Sequence, residues 1–322
     1  MAIYIKISRN DISAIEKKFN IGKIISFSGI KKGIENTNYL LKTKYKKYIL
    51  TIFGKRVEKK DIPFFMNLMS RLKKYNINCP LPQKSKKGNY LFHIKNKPGV
   101  IVSFVDGKDK TKLSIKNCYD IGKHVAKLHN ASKKIKLYRK NSMSLPSWKK
   151  ILNKIGNRCK VIDPNLKELM KENLKDIKKK WPKKLSSGII HGDLFIDNIF
   201  FKKNKLHGYI DFYFASNDFY MYEIAICINA LCFDKKNNKF IFNKAKSENL
   251  IKGYSRLRRL SEKDKTSLNV LCRGAALRYL LTRTYDYLNT PKSAVIKIKN
   301  PKEYIQKLKV HNQFNNFKNY YN

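Results

Sequence analysis

The chain has 322 residues, enough for one large or two modest domains with buried cores, so size presents no obstacle to an enzyme. Six scattered cysteines lack paired CxxC spacing, there is no secretory signal, and the apolar run 222–233 is far shorter than the roughly 18 residues of a membrane span. These features exclude a disulfide scaffold and a membrane protein, and a soluble cytoplasmic protein is expected. The 71 Lys and Arg against 23 Asp and Glu give a formal charge of +48, which by itself suggests a nucleic-acid or anionic-membrane partner. The lysines are spread along most of the chain, however, as solvated surface charge would be.

Strands are predicted over Lys23–Ser28 and Asn38–Thr43, flanking the glycine turn Gly29-Ile30-Lys31-Lys32-Gly33-Ile34-Glu35-Asn36, with a third at Tyr48–Phe53. A Walker loop would run from a strand into a helix with Gly-Lys-Ser/Thr, which is missing. Strand, glycine turn and strand fit either a phosphate-covering hairpin, with amides brought close where Gly29 and Gly33 carry no side chain, or a plain β-turn. Phe64, Phe65, Leu68, Met69 and Leu72 recur at helical spacing, so Pro63–Tyr75 should be a helix on that small sheet. Strands near Tyr90–Ile94 and Val100–Val105 lead to Asp106-Gly107, a turn signal placing a lobe boundary near Phe104. Helices are expected at Cys118–Ala131, at about 165–180, at Tyr222–Phe233 and at Leu268–Leu288, with short strands around Ile189 and Tyr209.

The chemistry concentrates in His191-Gly192-Asp193-Leu194-Phe195-Ile196-Asp197-Asn198, with Asp211 following Asn198 by thirteen residues and one strand. Phosphoryl transfer needs an acid beside the attacking hydroxyl and oxygen ligands for Mg²⁺ on ATP, because catalysis there is mostly positioning and charge neutralisation. Asp193 is the candidate base; Asn198 and Asp211 offer the amide and carboxylate oxygens a hard cation accepts. His191 is expected to brace the loop, and Asp197 to bond its amides. No Lys or Arg occurs from Gly188 to Phe201 or from Tyr209 to Phe233, as befits a metal-binding centre or buried apolar strands.

With a glycine hairpin in a small β-rich lobe and the acidic site nearly 160 residues downstream, the chain resembles the homoserine kinases of the aminoglycoside-phosphotransferase and choline-kinase-like superfamily. Gly33–Tyr39, Tyr48–Thr51, Asp61–Phe65, His191–Asn198 and Arg273–Arg278 with Thr282-Arg283 carry the resemblance across nearly the whole chain. It implies an α+β, protein-kinase-like fold with a β-rich lobe over 1–104 and a mainly helical lobe over 105–322. It implies ATP- and Mg²⁺-dependent phosphorylation of the L-homoserine hydroxyl on the route to threonine, with no specific nucleic acid and no membrane as partner. Under it Asp193 is the base and Asn198 and Asp211 hold the metal. The nucleotide would lie on Gly29, Gly33, Ile34, Asn36 and Thr51, with adenine against Ser103, Phe104 and Val105.

Thr51 stands where kinases commonly place a lysine, and Lys31, Lys32 and Lys55 are nearby in sequence as replacements. A zwitterionic acceptor needs a cation and an acid; Arg278 or Arg283 serves for the first, Asp218 or Glu223 for the second. Arg273, Arg278 and Arg283 are spaced by five, turning about 140° each, so all three cannot face one cleft. Two alternatives stand beside this reading: another small-alcohol kinase, and a basic nucleic-acid-binding protein on a kinase-like scaffold.

Overall fold

The computed structural model describes residues 5–30, 36–54, 57–291 and 298–322. Helix α1 (Arg9–Lys18) starts from a reciprocal cap in which Ser8 and Asp11 each accept the other's backbone amide. Strands β1 (Ile24–Ile30), β2 (Thr37–Thr43) and β3 (Lys47–Ile52) form an antiparallel meander. After helix α2 (Ile62–Lys74), β4 (Phe92–Ile94) and β5 (Lys97–Ser103) complete a sheet of order β1-β2-β3-β5-β4. Alternation of side chains divides this sheet between two cores. Leu50, Ile52 and Ile101 face α1 with Ile12 and Ile15, whereas Val100 and Val102 face α2, where Phe65, Leu68 and Leu72 are buried. That second core runs on into the helical lobe, so apolar packing joins the lobes as well as the chain.

Beyond Ser103 come α3 (Ile115–Lys133), α4 (Leu145–Ile155) and α5 (Leu166–Lys180). The strands that carry the site are β6 (Ser187–Ile190), β7 (Ile199–Lys202), β8 (Lys205–Tyr209) and β9 (Ser216–Phe219), with β6 pairing β9 and β7 pairing β8. Helix α6 (Tyr220–Leu231), the hairpin β10 (Phe233–Lys236) and β11 (Lys239–Phe242), and helices α7 (Lys244–Ser255), α8 (Glu262–Asn289) and α9 (Lys302–Asn312) follow. Helices α3 and α7 meet backbone to backbone, for a Cβ on Gly122 would lie 1.9 Å from the Leu250 carbonyl oxygen. No helix of the described residues is long and apolar enough to cross a membrane, and all six cysteines are buried thiols.

The small antiparallel lobe and the helical lobe are those expected, and the differences are local. Two strands, β7 and β8, separate Asn198 from Asp211 rather than one, because Lys203 and Asn204 take positive φ (47° and 62°) and turn the chain back on itself. Phe233 opens β10 instead of ending α6. Phe104 and Val105 lie beyond β5, which stops at Ser103. Helices α1, α4, α7 and α9 were not expected; in α1 only Ile12 and Ile15 are buried, too narrow a stripe to stand out among lysines.

Candidate active site

Strand β6 delivers the chain into a loop that Glu223 clamps from below. Glu223, in the first turn of α6, is fully buried and accepts the backbone amides of His191 and Gly192, the latter at 3.0 Å. Burial works against its charge, but His129 (3.8 Å away), His191 and the loop amides outweigh that and hold its carboxyl below the usual range. Glu223, expected as an acceptor contact, is fully buried and spends its carboxylate on the loop backbone. Gly192 has φ +78°, and a Cβ there would lie 2.8 Å from the Phe214 carbonyl oxygen, so only glycine fits. His191 is buried, and desolvation pulls its ring pKa below the ordinary value; its Nε2 donates to the Ile210 carbonyl (2.9 Å) and its Nδ1 accepts the Asp193 amide (3.3 Å). With both nitrogens engaged, it ties this loop to the end of β8.

Asp193 is half-buried, with Oδ1 accepting from the Tyr279 hydroxyl (3.1 Å) and Oδ2 from Asn198 Nδ2 (3.3 Å). Burial pushes its carboxyl up, while Arg278, His191, Lys299 and Tyr279 draw it back down. Asn198 Nδ2 also donates to the Asp193 carbonyl (2.8 Å), and its Oδ1 has no hydrogen bond among the described residues. The Ile210 amide bonds the Asn198 carbonyl (3.1 Å), bringing Asp211 beside Asn198. Asp211 has left-handed backbone (φ 64°), a conformation uncommon outside glycine that concentrates at functional sites. Among the described residues no three His, Cys, Asp or Glu cluster as metal ligands. An amide oxygen and a carboxylate nonetheless suit Mg²⁺, which takes few protein ligands and completes its shell from water and phosphate oxygens.

The short turn after Asp211 sends three aromatic rings three ways. Phe212 packs under His191 (ring centroids 4.5 Å), Tyr213 enters the upper lobe against Phe53 (4.9 Å), and Phe214 faces the cavity described below. The Tyr213 hydroxyl donates to Thr51 Oγ1 (3.4 Å), and Thr51 donates to Asn38 Oδ1 (2.8 Å). Thr51 is thus a buried tether between the lobes. Asn36 Oδ1 accepts the Gly54 amide (3.2 Å), and Gly29 lies inside β1 opposite Tyr39, not in the turn. Gly33 and Ile34, like Lys31, Lys32 and Lys55, lie outside the described residues. Of the segment expected at adenine, the Ser103 amide bonds Leu81 and the Phe104 amide bonds Lys47, so only Val105 has an amide without a hydrogen bond among the described residues.

A cavity of about 110 Å³ opens beside Asp193, walled on one side by Arg278, Tyr279, Arg283 and Asp286 of α8 and rimmed by Lys299. Arg278 donates to the Gly192 carbonyl (2.8 Å), and Arg283 to Glu303 (2.6 Å). Arg273 turns away to Asp176 (2.6 Å). Asp218 does not line the cavity; its carboxylate accepts Asn141 Nδ2 (2.6 Å) and the Phe219 amide (2.7 Å). Asp197 makes no hydrogen bond to loop amides among the described residues and faces Lys299 at 3.7 Å. Sequence reasoning missed Tyr279, Asp286 and Lys299. The first two share a helical stripe with Arg283 that was there to be read, while Lys299 lies about 100 residues from the loop it approaches. The cations around Asp193 therefore come from the far end of the chain, which is how a loop region free of Lys and Arg acquires them.

Residues 26–258 match the phosphotransferase enzyme family. The chain belongs to this family. Two relatives similar along their whole length are the homoserine kinase of Agrobacterium fabrum, 39% identical over 320 residues (99% of this chain, 98% of that one), and that of Allorhizobium ampelinum, 41% identical over 311 (97% and 96%). These place the chain among the homoserine kinases of the family. An amicoumacin kinase solved with AMP-PNP, Ca²⁺ and its antibiotic superposes with TM-score 0.72 at 13% identity, covering 97% of this chain and 95% of that one. Choline kinase from Cryptosporidium parvum superposes with TM-score 0.62 at 17% identity, covering 93% and 94%. Those two similarities establish the two-lobe, protein-kinase-like fold. The enzyme is an ATP-dependent phosphotransferase with a hydroxyl acceptor.

Proposed function

We propose that this cytoplasmic enzyme transfers the γ-phosphoryl group of ATP to the side-chain hydroxyl of L-homoserine, with Asp193 as base. Asp193 orients the hydroxyl and receives its proton as the new phosphorus–oxygen bond forms and the bond to the β–γ bridging oxygen breaks, releasing ADP and O-phospho-L-homoserine. Tyr279 and Asn198 aim the carboxylate, and Glu223 and His191 fix the loop that carries it. Asn198 and Asp211 would hold Mg²⁺, which when bound would neutralise charge on the phosphates. Residues 1–104 would hold the nucleotide, with the Val105 amide at the adenine edge, and residues 105–322 the acceptor.

The observation that carries the acceptor is the charge of the cavity beside Asp193. Among the described residues its lining holds three cations, Arg278, Arg283 and Lys299, against two carboxylates, Asp193 and Asp286. A cationic alcohol adds a like charge to that lining, whereas an amino acid brings both signs. At about 110 Å³ the space suits a short acceptor, being well under the ~300–1,000 Å³ typical of sites for larger ligands. The test is ADP release by the purified protein with Mg²⁺ and ATP against a panel of L-homoserine, choline and an aminoglycoside. Turnover is expected with L-homoserine alone; equal or better turnover of another alcohol would overturn the acceptor and leave the phosphotransfer chemistry standing.

A further inference from the structure

We propose that Arg139 is a positioning residue that ties the segment carrying Asp211 to the small lobe, so that the metal site is held in line with the nucleotide across the cleft; the assignment rests on the metal role proposed above for Asp211. Arg139 lies in the connection between α3 and α4, with its side chain only 11% exposed. Its Nε donates to Asp61 Oδ2 (2.7 Å) at the start of α2, in the small lobe, and its Nη1 donates to the Ala215 carbonyl (3.1 Å), four residues after Asp211. The guanidinium carbon lies over the Phe65 ring of α2 at 4.9 Å from its centroid. One side chain therefore grips both lobes at once. Its backbone secures the end of the same segment, for the Arg139 amide donates to Asn217 Oδ1 (2.9 Å) and the Asn217 amide to the Arg139 carbonyl (2.7 Å).

Residues 211–217 are thus pinned from two directions. Tyr213, two residues after Asp211, packs on Phe53 (4.9 Å) and on Phe65 (5.8 Å), so Phe65 is shared between Tyr213 and Arg139. Between these anchors the chain makes one short turn, closed by the Ala215 amide on the Phe212 carbonyl (3.0 Å), and a turn this tight passes a displacement of Ala215 on to Asp211. The Tyr213–Thr51 contact is long at 3.4 Å, whereas Arg139–Asp61 at 2.7 Å is a charged, well-made bridge. Asp61 is free for it because, although it occupies the N-cap position of α2, its side chain makes no cap bond to that helix. Arginine suits the place, since a planar fork serves a carboxylate, a carbonyl and an aromatic face together, as the single ammonium of lysine does not. Apolar packing also joins the lobes, so loss of the bridge should misalign the metal site and leave the fold standing.

The test compares wild type, Arg139→Gln, Asp61→Asn, the double variant and Asp211→Ala in two assays, ADP release with L-homoserine while Mg²⁺ and ATP are titrated, and Mg²⁺-dependent binding of ATP without acceptor. Arg139→Gln is expected to raise the Mg²⁺ and ATP concentrations for half-maximal rate, and to weaken Mg²⁺-dependent ATP binding, by about 10-fold, with KM for L-homoserine unchanged. Asp61→Asn should shift the same quantities in the same direction, and the double variant should be no worse than Arg139→Gln, because the two residues act as one bridge. A lowered melting temperature with Mg²⁺ and ATP dependence at wild type would make the pair merely structural and overturn the assignment. So would an equal rise in KM for L-homoserine, or effects of the two single variants that multiply in the double. If Arg139→Gln fails to fold, Asp61→Asn, on the more exposed partner (20%), decides alone. The binding assay needs no acceptor, so its outcome stands whichever alcohol is phosphorylated. Asp211→Ala at wild-type Mg²⁺ and ATP dependence removes the metal role and this assignment together, whereas a shift in Asp211→Ala without one in the Arg139 and Asp61 variants removes this assignment only.

Discussion

Replacing Glu223 by glutamine separates two roles that the sequence left open. The carboxylate accepts two backbone amides in a fully buried site. Each such bond to a charged acceptor contributes about 1.5–3 kcal/mol, and a buried donor left without an acceptor costs about 1–3 kcal/mol. Glutamine keeps one acceptor oxygen and turns an NH₂ toward the other amide, so the net loss should be about 3 kcal/mol, or about 4 °C in melting temperature for a chain of this size. The loop it releases carries Asp193, and a displacement of about 1 Å there should lower kcat on the order of 100-fold while KM for L-homoserine stays put. Because the Glu223 carboxyl is depressed in the folded state, its stabilisation is present above the ordinary value of 4.5 and lost as pH falls through the lower folded value. The stability gap between wild type and Glu223→Gln should therefore close in acid. Thermal unfolding across pH and steady-state kinetics measure both effects. A raised KM for L-homoserine with kcat and melting temperature intact would refute the clamp and return Glu223 to the acceptor.

Three other expectations follow from the geometry. Burial lifts the Asp193 carboxyl above the ordinary 3.8, and the base acts deprotonated, so kcat/KM should fall as pH drops through that raised value; Tyr279→Phe, which removes a bond favouring the charged form, should move this acid limb to higher pH. For the same group stability runs the other way, being greatest below the ordinary value and lost as pH rises through the raised one, so a melting-temperature profile that merely tracks the activity limb would show that the limb belongs to unfolding. Asp211→Ala should leave the fold in place, lower turnover and raise the Mg²⁺ and ATP concentrations needed for half-maximal rate, and wild-type titrations would contradict its role at the metal. Gly122→Ala forces a methyl to within 1.9 Å of a backbone oxygen on α7 and should cost at least ~1–3 kcal/mol, read as a lower denaturation midpoint at unchanged KM.

Local chemistry makes much of this enzyme legible in the order of its residues. The strand and helix patterns of 23–105 locate the small lobe, because the short apolar runs of β3 and β5, buried on both faces, and the apolar face of α2 are written in consecutive residues. His191–Asn198 and Asp211 declare a phosphotransfer loop because the spacing itself is the signal. Glu223, by contrast, is legible as an acid near the site but not as a loop clamp, since its partners lie 31 and 32 residues away across a β6–β9 pairing that no local pattern reveals. Thr51, an apparent vacancy where a lysine is common, is joined to Tyr213 across 162 residues.

The reaction type is thus legible in the sequence alone, since the proposed base and the two proposed oxygen ligands lie in one short loop and its neighbour. Which cations and acids line the cavity is not, because lysine is everywhere in this chain and the arginines of α8 recur at a period that points them different ways. Only the packing of α8 against the loop brings Arg283 and Asp286 into the cavity that Asp193 lines and turns Arg273 toward α5, for long-range contacts are set by the shared core and not by spacing.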